Sequence, residues 1–516
     1  MSCCAWIGTC PSGTSGSPAA SVPDAASAVV GSSADEAVVV PASSSVASDV
    51  TAPSAPSARP ESAASARAVT PSCASSAGVA PFARFTTIDV PPDGETTVAG
   101  VTSPPPRLPD APRRIVVVGA GLAATQTVGA LRERGFDGHL TVLGAEPVPP
   151  YDRPPLSKHL LDRPEPTLLS HELGVDVQSL ADEVHLGRPA TGLTVSPAGV
   201  EIEAGATIGA DVAIIATGAR ARRVPGWEHA LVLHTAADAA ALRARLTPGA
   251  RLAVIGAGWI GAEVAGVAAA AGVEVTVLEA ASAPLSGALG AQVGALAAPW
   301  FAAGGVRLVT DARVTRVDED AVHLADGERV AADVVLAAVG ALPATAWLGD
   351  ALPREPDGSL LVDEGYAVLG APRRVRAVGD VARRRSHRHG WVPGGHWDGA
   401  LRGPVDLAAD LLTGLESQPT DPVPYVFSTQ LGHDLTLFGL PEPGHDVVLR
   451  GDASSSEGWS ALWFRPGSST LAAVLTVDRP RDVGAARRLF AARDLPRLDR
   501  DLAGDVGVPL RNAALG

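Results

Sequence analysis

Gly119-Ala-Gly121-Leu-Ala-Ala124 and Gly256-Ala-Gly258-Trp-Ile-Gly261 decide the fold of this 516-residue chain. Each follows a short apolar run, Ile115-Val-Val-Val118 in the first case and Leu252-Ala-Val-Ile255 in the second. Each opens an alanine-rich stretch of helical character. Strand, glycine turn and helix in that order aim free N–H groups of the helix start at a phosphate. The first glycine permits the tight turn, the second lets the backbone approach a pyrophosphate, and the third position needs a small residue for close helix–strand packing. Gly119, Gly121 and Ala124 meet these needs; Gly256, Gly258 and Gly261 complete the fingerprint. A single copy is also compatible with an ordinary glycine-rich turn. Two copies predict two nucleotide folds side by side, arranged as a relay: one holds a tightly bound flavin, the other receives a nicotinamide that passes it a hydride.

Working outward, Leu140-Thr-Val-Leu143 reads as the second strand of a βαβ unit, whose crossover is expected to be right-handed. Glu146, just past that strand, is the candidate to bond the adenosine ribose. The same order recurs from Arg251, and the strand Val273-Glu-Val-Thr-Val-Leu278 ends in Glu279. A carboxylate there accepts hydrogen bonds from a ribose 2′-OH and repels a 2′-phosphate. No Arg or Lys occurs between Val273 and Val306, so NADH is expected over NADPH. Glu263, on the first turn of the second helix, either reaches toward the nicotinamide end or is a solvated helix residue.

The net charge of −15 argues against a nucleic-acid partner, which wants a basic face. The most apolar run, Val264 to Leu278, is broken by Glu274 and reads as helix, turn, strand; no span of the ~20 apolar residues needed to cross a bilayer is present. The first residues lack the basic start of a secretory signal, so a cytoplasmic location is the default. Residues 1–111 are rich in Ala, Ser, Pro and Val without periodicity, and are expected to be a disordered tail or an artefact of the assigned start. All four cysteines lie there, at Cys3, Cys4, Cys10 and Cys73. The first three are open to reading as a metal or lipid site, although no histidine or acidic ligand accompanies them. From Ala74 onward there is no cysteine, which excludes a disulfide, a cysteine zinc site and a redox Cys-x-x-Cys from the folded part. From about Pro422 the texture changes to aromatic strand-like runs (Tyr425-Val-Phe427, Trp459 to Phe464, Leu471 to Val477) and a helical Ala485 to Phe490, a small α+β domain.

Pro149-Pro-Tyr-Asp-Arg-Pro-Pro-Leu-Ser-Lys-His159 resembles the Pro-Tyr-x-Arg-Pro-Pro-Leu-Ser-Lys stretch of the flavin-dependent ferredoxin reductases that serve oxygenases, the rubredoxin, putidaredoxin and aromatic-ring-dioxygenase reductases of glutathione-reductase-like fold. The likeness continues through Ala216-Thr-Gly218-Ala-Arg220, Val378-Gly379-Asp380-Val, His396-Trp397 and Pro424-Tyr-Val-Phe-Ser, and covers roughly Arg113 to the C-terminus. It implies that Arg153 and Lys158 line FAD, with Lys158 near the flavin N5. It further implies that Thr217 and Gly218 contact FAD at the crossing between domains, that Asp380, with Gly379 before it, bonds the ribityl chain, and that Trp397 lies by the isoalloxazine. The residues alone leave Arg153 and Lys158 open to being surface charges after a Pro-rich turn. The chain departs from the family pattern at Gly395 (often Glu), at Gly399 (often Asn) and at Val426-Phe427-Ser428-Thr429 (usually Phe-Trp-Ser-Asp). These departures bear on the electron acceptor.

The expected architecture is an α/β flavoprotein with two Rossmann-like domains and a small C-terminal α+β domain. FAD takes 112–228 and 346–420, NADH takes 229–345, and the last domain spans 421–516. The expected function passes a hydride from NADH to FAD and then single electrons to a ferredoxin-type iron–sulfur carrier that feeds an oxygenase or cytochrome P450. Lys158, Glu263 and Trp397 are the candidate catalytic residues, and the protein is expected as a monomer or homodimer. An NADH oxidase or diaphorase using O2 or quinone is one rival; an FAD-bearing interaction protein like apoptosis-inducing factor is another, disfavoured by the intact set Lys158, Glu263 and Glu279. Arg383, Arg384, Arg385, His387, Arg388 and His389 form a basic cluster close after Asp380. It is expected either to steer an acidic ferredoxin, with Arg383, Arg384, Arg385 and Arg388 in contact, or to be a solvated loop. Removing the carboxylate while adding a cation, in Glu279→Ala/Ala280→Arg, is expected to shift the ratio of kcat/KM for NADH and NADPH toward NADPH; steady-state kinetics with both coenzymes measures it.

Overall fold

A run of small and β-branched residues buried on both faces makes a parallel strand, and the chain carries such runs in two sets. In the computed structural model, which describes residues 111–414 and 420–515, the first set forms a five-stranded parallel sheet. Its order is Val375–Ala377, Val212–Ile215, Arg114–Val118, His139–Leu143, Glu183–His185. The second set forms a four-stranded parallel sheet ordered Arg307–Val309, Glu274–Leu278, Arg251–Ile255, Val334–Ala337. The helices Leu122–Glu133 and Trp259–Ala270 follow the two glycine turns, as the sequence predicts. The first sheet takes its outer strand Val375–Ala377 from beyond the whole second sheet in sequence. The chain therefore crosses between the two twice, and the crossings are tied together where Ala219–Ala221 pairs antiparallel with Ala341–Pro343.

The third set is a five-stranded antiparallel sheet ordered Tyr425–Gln430, His433–Gly439, Leu471–Val477, Trp459–Phe464, Asp446–Arg450, with helix Pro480–Leu489 behind it. One face buries Leu435, Leu437, Trp459 and Trp463 against Leu285, Leu289, Val293 and Trp300 of the second nucleotide domain. Each large apolar side chain removed from water here contributes about 1.5–3 kcal/mol to the attachment. His433 stacks on Trp300 with ring centroids 4.4 Å apart. The tail expected over 1–111, and Cys3, Cys4, Cys10 and Cys73 with it, falls outside the described residues save for Ala111. Among the described residues no helix is long and apolar enough to cross a membrane.

The basic cluster is not the surface patch that its composition suggests. Residues Ala382–Ser386 form a strand, and alternation buries Arg384 while Arg383 and Arg385 point outward. Arg384 and Arg388 are 8% and 7% exposed. Both are turned inward onto Asp421, whose carboxylate accepts from Arg384 Nη1 at 2.6 Å, Ser386 Oγ at 3.0 Å and Arg388 Nε at 3.3 Å. Arg388 also donates to the Phe490 carbonyl at 2.8 Å, so the pair ties strand Ala382–Ser386 and the turn after it to the C-terminal domain. Arg385 remains exposed, 3.6 Å from Glu364, and Arg383 lies 3.9 Å from Glu355. A guanidinium can be buried only with partners, and here one acidic residue at the domain linker partners two of them.

Burial acts to push the Asp421 carboxyl up, but the hydrogen bond and charge of Arg384 outweigh it with help from Ser386 and Arg388, and hold it below the usual carboxylate range. Burial and the neighbouring Arg388 charge push His389 down from 6.5 to about 4. Folded His389 thus declines a proton that the unfolded chain accepts, and stability is lost as pH falls from about 6.5 toward 4. Asp421 contributes stability above the ordinary carboxylate range, and loses it as pH falls through its lower folded value. Asp421→Asn strands two buried cations and is expected to cost about 3 kcal/mol at neutral pH. It is also expected to reduce the acid step below the ordinary carboxylate range, to which Asp211 and Asp333 still contribute, while keeping the His389 step. Melting temperature followed between neutral and acid pH in both proteins checks this.

Candidate functional site

At the first glycine turn Gly119 has φ +121°, and a Cβ there would sit 2.2 Å from the Ala216 carbonyl oxygen. Gly121 begins helix Leu122–Glu133 with no side-chain cap, and the space beside its Cα is open. Ala124 is fully buried against the sheet. The second turn repeats this geometry. Gly256 has φ +102°, with a Cβ position 2.6 Å from the Ala338 carbonyl oxygen, and Gly258 starts helix Trp259–Ala270 uncapped beside open space. At Gly261 a Cβ would lie 2.0 Å from the Gly256 carbonyl oxygen, so only glycine lets this helix approach its strand. Uncapped N–H groups facing unfilled space fit a dinucleotide pyrophosphate at both turns.

Other parts of each cradle converge on these turns. Thr217 Oγ1 donates to the Ala344 carbonyl at 2.9 Å, and Gly218, at φ +65°, accepts from the Ala344 amide at 2.9 Å. The two crossings are thus joined at the residues expected to touch FAD. Gly379, at φ +80°, packs over Ala123, and Asp380 Oδ1 accepts from the Gly395 amide at 3.0 Å. Glu279 accepts from the Ala257 amide at 2.7 Å and the Ala281 amide at 2.8 Å, which holds its carboxylate at the second glycine turn.

Glu146 has both oxygens engaged: Oε1 accepts from Arg153 Nη2 at 2.8 Å and Oε2 from Tyr151 Oη at 2.6 Å. In this geometry it orients Arg153, which also donates to the His234 carbonyl at 2.5 Å. Trp397 donates from Nε1 to Asp152 at 2.9 Å and meets the Phe427 ring edge-on at 6.3 Å. Burial raises the Asp152 carboxyl above its ordinary value, opposed by the Trp397 hydrogen bond.

Lys158 and Glu263, 105 positions apart, form an ion pair. Glu263 is 4% exposed, which removes the reading of it as a solvated helix residue. Its carboxylate also accepts from Ser157 Oγ at 2.5 Å and from Ser428 Oγ, while Gln430 Nε2 donates to Ser428 Oγ at 3.0 Å. The Lys158 ammonium stands 5.1 Å from the centre of the Phe427 ring. Neither Lys158 nor Arg153 is a free surface charge. The sequence reasoning gave no role to Ser157, Ser428, Gln430 or Phe427. Ser157 and Ser428 lay inside quoted motifs, but nothing local shows that they share a partner.

Residues 113–395 match the family described as pyridine nucleotide-disulphide oxidoreductase, and residues 425–514 match the reductase C-terminal family. The chain belongs to the pyridine nucleotide-disulphide oxidoreductases that carry this reductase C-terminal domain. It is 34% identical over 395 residues to the ferredoxin–NAD(+) reductase component of the anthranilate 1,2-dioxygenase system of Burkholderia cepacia, covering 74% of this chain and 95% of the relative. The crystal structure of Fdr9 superposes with a TM-score of 0.70 at 40% identity, covering 77% of this chain and 99% of that one. The reductase in the covalent putidaredoxin reductase–putidaredoxin complex gives 0.68 at 27% identity, with 78% and 98% covered. FAD and NADH are the cofactors of this family, and the two cradles supply a place for each.

Despite the family description, the reductase has no cysteine from Ala74 to its end, so thiol–disulfide chemistry is absent from its folded part. Its charged groups are paired instead, Lys158 with Glu263 and Arg153 with Glu146, beside the rings of Trp397 and Phe427. Gly256→Ala combines an unfavourable φ with a backbone clash; strain of about 1–3 kcal/mol is expected to weaken NADH binding at least ~10-fold while flavin content stays unchanged. Titration of the purified yellow protein with NADH, beside its flavin-to-protein absorbance ratio, tests this.

Proposed function

We propose that the protein is an NADH:ferredoxin oxidoreductase, in which FAD accepts a hydride from NADH and then gives single electrons to a ferredoxin-type iron–sulfur carrier feeding an oxygenase or cytochrome P450. The observation that carries this reading is the Lys158–Glu263 pair, in which a residue of the first domain meets one on the helix that opens the second glycine turn. We assign FAD to 112–228 and 346–420, NADH to 229–345, and a cytoplasmic setting. Gly119, Gly121, Ala124, Arg153, Thr217, Gly218, Gly379 and Asp380 would hold FAD; Gly256, Gly258, Gly261 and Glu279 would hold NADH.

Within that assignment the chain binds and orients rather than acting as nucleophile or acid. Glu146 fixes Arg153. Glu263 fixes Lys158, whose positive charge favours an anionic reduced flavin by Coulomb attraction in a site shielded from water. Trp397 is held by Asp152 and Phe427 as an aromatic wall. The carboxylate of Glu279, already aimed at the turn by two amides, selects a free ribose hydroxyl.

The altered residues Gly395, Gly399, Phe427 and Thr429 support a second reading, in which oxygen or a quinone replaces the carrier. One assay separates the two. NADH-dependent cytochrome c reduction that requires added ferredoxin is the expected outcome, and Lys158→Ala is expected to slow flavin reduction about ten-fold or more through loss of the cation. Rapid oxygen uptake without a carrier selects the oxidase, and negligible turnover with every acceptor selects an interaction role.

A further inference from the structure

Strand Tyr425–Gln430 of the C-terminal domain reaches the buried carboxylate at the centre of the site. Its period of two turns Ser428 and Gln430 inward, 3% and 1% exposed, and leaves Phe427 and Thr429 facing outward. Two contacts on one face of helix Trp259–Ala270 set its position. Glu263 receives the Ser428 hydroxyl. Gly266, three residues further on, lies beneath the turn after the strand, where an added Cβ would stand only 3.0 Å from the Leu431 amide nitrogen. Leu431 has φ +51° and also packs over Gly304, so the turn is seated in the second nucleotide domain.

A serine hydroxyl has one hydrogen to give. Gln430 Nε2 occupies its acceptor side at 3.0 Å, which leaves that hydrogen for Glu263. Ser428 and Lys158 bind the same oxygen, Oε1, while Ser157 takes Oε2 at 2.5 Å. The carboxylate cannot rotate without losing one of these bonds. We propose that Ser428, oriented by Gln430, is a positioning residue for electron transfer: it locks Glu263 in the rotation that sets where the Lys158 cation rests. The C-terminal domain then acts on the flavin site through charge placement, besides covering it.

This inference rests on the proposed transfer from NADH to FAD, and its test uses the flavin-loaded full chain. Ser428→Ala is expected to keep its flavin, to shift the flavin visible absorption maximum, and to slow flavin reduction at saturating NADH about ten-fold, with KM for NADH changed less than about two-fold. Ser428→Thr, which keeps the hydroxyl, is expected to restore the spectrum and most of the rate. Gly266→Val, which lifts the turn away from the helix, is expected to reproduce the spectral shift with Ser428 intact. A Ser428→Ala protein with parental spectrum and reduction rate, and only a lower melting temperature, overturns the inference and makes Ser428 purely structural. A parent protein that holds no flavin, or whose flavin NADH does not reduce, overturns the underlying reaction instead.

Discussion

A carboxylate taken out of water must find opposite charge and hydrogen-bond donors, or its burial costs several kcal/mol. Glu263 meets that requirement with Lys158 and Ser157 from the stretch after the first nucleotide strands and Ser428 from the C-terminal sheet, while itself standing on the helix of the second glycine turn. No single domain satisfies it. The ion pair carries no net charge, so burying it costs far less than burying either partner alone, and a cation can be held against the Phe427 ring with little water around it. Where the Lys158 cation rests depends on this shared requirement.

The second joint obeys the same rule with the signs reversed. Asp421 is an acid on a linker that answers two buried guanidinium groups, and Arg388 extends the contact to the carbonyl of Phe490. Both joints are built from directed polar contacts. Between the C-terminal sheet and the second nucleotide domain there is also the apolar cluster shared by Trp300, Trp459, Trp463 and their neighbours. Apolar contact is tolerant of small shifts, whereas a buried ion pair with directed donors is not. The apolar cluster adds tolerant contact between two of the domains, and the polar joints fix register.

The glycine turns were legible in sequence because their constraint is local: positive φ, close helix approach and an uncapped helix start are all decided within a few residues. The third domain was legible from strand-length aromatic runs, and the family from an ordered motif around Arg153 and Lys158. The partnership of Lys158 with Glu263 was not legible, since nothing in a linear string sets which distant acid meets which base. Glu146 was placed at the ribose by its position after a strand, but that its carboxylate also gathers Arg153 and Tyr151 was not legible. The arginine cluster was misread for a different reason. Counting charge over Arg383 to Arg388 ignored that the segment is a strand, where alternate residues face opposite ways and an inward arginine needs only a distant acid to be stable.

The same alternation explains how the C-terminal domain can differ from the usual family pattern without losing the inner site. Phe427 and Thr429 occupy the outward face of their strand, where Phe427 meets Trp397 and Lys158 and Thr429 bonds Asp434 at 2.8 Å. Ser428 and Gln430 occupy the inward face and answer Glu263. Substitutions on the inner face act directly on the Glu263 carboxylate, whereas on the outer face Phe427 meets the Lys158 ammonium and Trp397 through its ring alone. Neighbouring side chains on this strand therefore meet different surroundings, one residue apart, because a pleated backbone sends them to opposite sides.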